Sequence, residues 1–143
     1  MPERRAGGTS KVEPTFEDFR RLFLFAHLEQ QYRGRAWVIV DNDDEGQRIV
    51  ADLQGKYSRW PADHFSTWSQ SDFEQYYPSR FETQVQEVLA LPHDAKPAAK
   101  KSLLDEVKAW CDANQGEAKA EFEKSAAEVI EKLRAIRESL LSR

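Results

Sequence analysis

Trp37-Val38-Ile39-Val40-Asp41-Asn42-Asp43-Asp44-Glu45-Gly46 runs four apolar residues straight into a cluster of carboxylates. The unbroken apolar run predicts a strand over 36–40 buried on both faces, as in a parallel sheet covered by helices. Side chains alternate along an extended chain, so Asp41 and Asp43 are expected on one side of the strand's exit. Two carboxylates aimed at one point repel each other unless a cation sits between them. Hard oxygen ligands suit Mg²⁺ or Mn²⁺, and Mg²⁺ binds through one or two carboxylates while substrate phosphates and water complete its shell. The chemistry suggested is phosphodiester or phosphoryl work.

Before this stretch, Phe16, Phe19, Leu22, Phe23 and Ala26 have helical spacing, with Thr15 placed as N-cap and Gly34 just past the end. After it, Ile49, Val50 and Leu53 form one stripe of a helix from Glu45 to about Tyr57. Trp60-Pro61 breaks that helix, and 63–68 reads as a short second strand containing His64 and Phe65. Ser71 is expected to cap a helix over 72–77, and a helix resumes over 79–91 after Pro78. Residues 92–97 read as a linker, and Leu103, Val107 and Trp110 share a helical face beyond it. A turn is expected at Asn114-Gln115-Gly116. Phe122, Ala126, Val129, Leu133, Ile136 and Leu140 then alternate steps of four and three, a seam of about two and a half heptads. The expected architecture is α/β: a small, mostly parallel sheet flanked by helices over 1–93, then a helical hairpin over 94–143.

Composition narrows the function classes. With 25 acidic and 21 basic side chains the chain has no global field that attracts nucleic acid, so phosphate contact would need a local patch or a bound metal. The lone Cys111 excludes an internal disulfide and a cysteine-based zinc site, which fits a reducing cytoplasm. No apolar run approaches the roughly 20 residues that span a bilayer, and the Arg-rich start lacks an apolar signal core.

Three readings compete for Asp41 to Gly46. In the first, Asp43 or Asp44 caps the following helix, whose positive end favours the acids. In the second, Asp41, Asp43, Glu45 and Gly46 occupy the first, third, fifth and sixth positions of a calcium loop, but Arg48 and Asp52 stand where that loop needs an apolar residue and a closing Glu. In the third, the acids hold Mg²⁺ at the C-terminal end of a parallel strand, where open α/β sheets place their ligands.

The segment from Val38 to Gly46 resembles the Asp-x-Asp motif of the TOPRIM domain, a metal-binding fold shared by topoisomerases, bacterial primases and the OLD-family (overcoming lysogenization defect) nucleases. Ser71-Asp72-Phe73-Glu74-Gln75-Tyr76-Tyr77-Pro78 is similar to the Ile-Glu-x-Tyr element that follows it in OLD-type nucleases. The resemblance covers about 7–78. It implies a nuclease domain acting on DNA, with Asp41, Asp43 and Glu74 as catalytic metal ligands for Mg²⁺ or Mn²⁺. The family's opening strand, which ends in a Glu, has no counterpart here: Glu13 follows Val12, but only a helix separates it from Trp37. Gly7-Gly8 resembles the end of the family's second strand. The expectation is therefore a TOPRIM domain truncated at its start, with an ATPase domain or a partner chain supplying the missing part.

Other residues invite blander readings. His27, His64 and His93 lie in unlike contexts and suit solvated or capping roles. Lys96, Lys100 and Lys101 could meet a DNA backbone or simply form an exposed helix face, and Lys124 stands where OLD-type nucleases place a downstream lysine. Trp37, Trp60, Trp68, Tyr76 and Tyr77 could stack on bases, though core and rim positions explain most of them. Cys111 reads as an inert packed thiol. The rival to the nuclease is a non-catalytic interaction module that binds a protein partner through the Phe122–Leu140 seam.

Overall fold

The computed structural model describes residues 12–25, 31 and 33–142. Among them the helices are α1 (Val12–Phe25), α2 (Asp44–Lys56), α3 (Glu82–Leu89), α4 (Lys96–Ala113), α5 (Gln115–Ser125) and α6 (Ala127–Leu141); the strands are β1 (Val38–Val40) and β2 (Phe65–Thr67). The expected Gly7-Gly8 strand end and His27 lie outside the described residues. Two compact units result, one ending at Asp72 and the other starting at Phe73.

In the first unit β1, α2 and β2 make one β-α-β unit. The strands pair in parallel, with Val38 opposite Phe65, Ile39 opposite Ser66 and Val40 opposite Thr67. The α/β reading holds, but the expected burial of β1 on both faces is corrected, since Val38 and Ile39 are only half-buried and Val40 alone is enclosed. A two-stranded sheet offers too little surface to bury a strand on both sides.

The core here forms on the α2 side, where Ile49, Leu53 and Tyr57 recur at helical intervals and meet Trp60 and Phe65. Helix α1 joins through Phe16, whose ring meets Tyr57, Trp60 and Phe65 edge-on at 5.0, 5.6 and 5.6 Å. This helix begins at Val12, so Thr15 is not its N-cap; Pro14 fits because the first turn needs no donor. The Gln54 amide donates to the carbonyls of Ala62 and Phe65, both at 3.0 Å, fastening α2 to the start of β2.

In the second unit Phe81 and Val85 pack with Leu103 and Val107 around the α3–α4 contact, and Trp110 and Phe122 close over them. Helix α3 thus shares a core with α4, and the boundary expected at residue 93 runs through this unit. The expected linker holds over 92–95, and its last two residues enter α4, which begins at Lys96 and takes Pro97 in its first turn, where proline is tolerated. Where two helices and a turn were expected, Asn114 and Ala126 divide the segment into three helices. The break at Ala126 interrupts the heptad seam, so its first and last positions belong to different helices.

Candidate functional site

The acidic stretch leaves the carboxyl end of β1 and turns within three residues into α2. Residue Asp41 is half-buried and Asp43 exposed. Asp43 has extended backbone, and its Oδ1 accepts from the Gly46 amide at 2.7 Å. It is therefore the N-cap of α2, with Asp44 and Glu45 in the first turn, where the helix dipole favours negative charge. The Asp43 cap bears out the capping reading and excludes the calcium loop, because Glu45 and Gly46 are already helical and cannot wrap an ion. The cap uses one carboxylate oxygen of Asp43.

Gly46 is required for a reason its sequence position hides. A Cβ there would stand 2.0 Å from the Asp41 carbonyl oxygen and 3.1 Å from Asp43 Oδ1. The backbone leaving β1 thus runs against the first turn of α2, and only glycine leaves room for it.

The exits of the two strands are laced together. The Trp68 amide donates to the Val40 carbonyl at 2.9 Å and the Asn42 amide to the Gln70 carbonyl at 3.0 Å. Asn42 Nδ2 reaches the Ser69 carbonyl at 3.4 Å, and Gln47 Nε2 donates to Asn42 Oδ1 at 2.9 Å. Asn42, unremarked in the sequence, thus holds the loop on both sides. Substituting Asp43 by alanine should cost about 1 kcal/mol through loss of the cap, while Asn should hold the helix end nearly as well. Urea unfolding of the three proteins measures the difference.

Glu74 lies in the second unit, on a single 3-10 turn over Phe73–Tyr76 rather than the helix expected from Ser71. Ser71 donates to Asp72 Oδ2 at 3.1 Å. The Glu74 side chain is 13% exposed and its Oε2 faces Lys100 Nζ at 2.8 Å. Burial first, and then the Glu74 charge, raise the neighbouring Tyr77 phenol above its ordinary 10.0, against an opposing pull from Lys100.

The raised phenol contributes stability that is full below pH 10 and is lost as pH rises through the shifted value. Replacing Lys100 with Met would leave a buried carboxylate unpaired, at a cost of roughly 1–3 kcal/mol, and push Tyr77 higher still. Adding Glu74→Gln should restore most of that stability. Denaturant unfolding of the cycle and ultraviolet titration of tyrosine read the two effects.

The other candidates disperse. Among the described residues no three His, Cys, Asp or Glu side chains gather into a metal-holding group. Glu13, in the first turn of α1, meets Lys56 at 3.3 Å and so is no strand-end acid. His64 is buried, stacks on Trp37 at 4.1 Å, and places Nδ1 2.9 Å from the Ala36 carbonyl oxygen. Trp60 and Tyr76 are core residues, and Tyr77 packs beside Phe81 and Val85. Lys101 pairs with Asp105 at 3.6 Å, which leaves no continuous basic patch with Lys100 and Lys96. Lys124 is exposed in the last turn of α5. Burial raises the Cys111 thiol, consistent with a packed, unreactive group.

No family model, curated protein or solved structure matches the chain.

Proposed function

We propose that the chain is a TOPRIM-like, OLD-type nuclease module that binds Mg²⁺ or Mn²⁺ through Asp41 and Asp43 and acts on DNA phosphodiesters. One observation carries this reading. A carboxylate-rich loop leaves a parallel strand at its carboxyl end and enters a helix N-terminus, with Gly46 permitting the tight passage. Ligands of open α/β sheets gather at this edge. The donor set fits a hard cation, because Mg²⁺ needs only one or two protein carboxylates when water and phosphate supply the rest. Bound there, the ion would activate water and stabilise the leaving oxygen. Asp43 has a double duty in this reading, capping α2 with one oxygen and meeting the ion with the other. Glu74, already paired with Lys100, is not needed for the first two ligands.

Calorimetry with Mg²⁺ and Mn²⁺ separates capping from coordination. Asp43→Asn keeps the cap but removes a charge, so it should retain stability and lose roughly tenfold or more in metal affinity, and Asp41→Asn should lose metal affinity to the same extent. Metal at a hundred times Kd should add about 2.7 kcal/mol to the stability of the wild-type chain. Undiminished uptake in both variants, or none in the wild type, rejects the assignment. Plasmid nicking that persists in Asp41→Ala would show the chemistry to lie elsewhere.

A second reading, a non-catalytic interaction module, draws support from Leu133, Leu140 and Leu141, which stand 57%, 42% and 73% exposed on α6.

A further inference from the structure

Helix α6 changes character along its length. Its start is packed, with Val129 buried, while beyond Ile130 Leu133, Leu140 and Leu141 are exposed and Ile136 half-buried. At 3.6 residues per turn Leu133, Ile136 and Leu140 share one side, at the spacing by which a helix anchors itself in an apolar partner surface. Leu141 extends that side at its edge.

The charges are sorted around this patch. Arg137 follows Leu133 by one turn and falls within the apolar side, while Lys132 and Arg134 border it left and right. The acids of the same stretch, Glu131 and Glu138, stand away from Leu133, Ile136 and Leu140 and next to Arg134, which shares a cleft with Glu123 and Glu131. The flanks of the Leu133–Ile136–Leu140 row therefore carry the cations Lys132 and Arg137.

A second copy is a poor occupant. Side by side in parallel, Lys132 of one helix faces Arg137 of the other. This arrangement sets like charges against each other at the rim, which is costly. Four aliphatic side chains over three turns also fall short of the roughly 1,200 Å² that a stable interface buries in total. A charge-complementary surface removes the first obstacle and lends electrostatic attraction against the second.

We infer that the second half of α6 docks on another protein through an apolar helical surface bordered by carboxylates. The inference rests on the interaction-module reading, and names the partner's chemistry. Two labelled model peptides test it by fluorescence anisotropy with the intact chain. Both carry Leu at the a and d positions of successive heptads; one has Glu at e and g, the other Lys.

The Glu peptide should bind, weaken with added salt, and exceed the Lys peptide by about tenfold or more. Lys132→Glu with Arg137→Glu should reverse the preference, and Leu133→Gln should lower binding of the Glu peptide about tenfold. These substitutions lie on exposed or half-exposed positions, and an unchanged helical signal and melting temperature confirm that the chain still folds. Equal binding of both peptides overturns the acidic partner while sparing the interaction reading. Binding of neither overturns both. Preferential uptake by phosphatidylserine vesicles, or self-association that Leu133→Gln abolishes, likewise overturns the inference in favour of a lipid surface or a second copy.

Discussion

Gly46→Ala is expected to destabilise the first unit by about 3 kcal/mol, because the added methyl would sit 2.0 Å from the Asp41 carbonyl oxygen. Neither group is the far end of a flexible side chain. The carbonyl belongs to the backbone leaving β1, and the methyl would be fixed to the first turn of α2. Relief therefore demands movement of the strand exit or of the helix start, and the Asp43 cap would be strained with it. The expectation runs against helix propensity, by which alanine is favoured over glycine by roughly 0.5–1 kcal/mol inside a helix.

Gly55, on the same helix with nothing within 4 Å of its would-be Cβ, supplies the control. Gly55→Ala should stabilise by that propensity difference. Chemical denaturation of the two variants beside the parent measures both signs at once. A Gly46→Ala protein as stable as Gly55→Ala would show that the strand exit does not press on the helix.

Phe65→Ala is expected to be the most damaging side-chain truncation in the same unit, at roughly 3–5 kcal/mol. Phe65 is 1% exposed and starts β2, so its ring stands where the sheet, α2 and the α1 aromatic meet. It meets Phe16 edge-on at 5.6 Å and stands 6.0 Å from the rings of both Tyr57 and Trp60. Truncation removes the transfer energy of the ring and leaves a cavity among rigid aromatic neighbours that collapse poorly. Phe65→Leu, which keeps most of the volume, should cost clearly less. Equal losses for the two would mean that retained apolar volume counts for nothing here and that the aromatic contacts carry the whole effect. A drop in the melting temperature and in the near-ultraviolet dichroism of the aromatic cluster reads the result.

Much of the local structure was legible in the residues because it depends on near neighbours. The switch from strand to helix at 40–44 was written in four apolar residues followed by capping acids, and α2 shows its buried stripe at Ile49 and Leu53 as the spacing implied. The β2 segment was visible too, two residues shorter at its start because a 3-10 turn over Ala62–His64 intervenes. Where a prediction needed depth of burial it failed. Val38 and Ile39 look like residues enclosed on both faces, yet a sheet of two strands leaves them half-covered.

The candidate site divides the same way. That Asp41 and Asp43 follow a strand at its carboxyl end, and that an acid would cap α2, could be read from order and spacing alone, since both follow from the period of the backbone. Which acid caps, that Gly46 answers to the Asp41 carbonyl, that Lys100 meets Glu74, and that Leu133 and Leu140 face water were decided only by the tertiary structure. Each depends on the distance between atoms that folding brings together or keeps apart. Composition and periodicity report which face a side chain takes, while close approach, ion pairing and exposure are set by what the rest of the chain places opposite it.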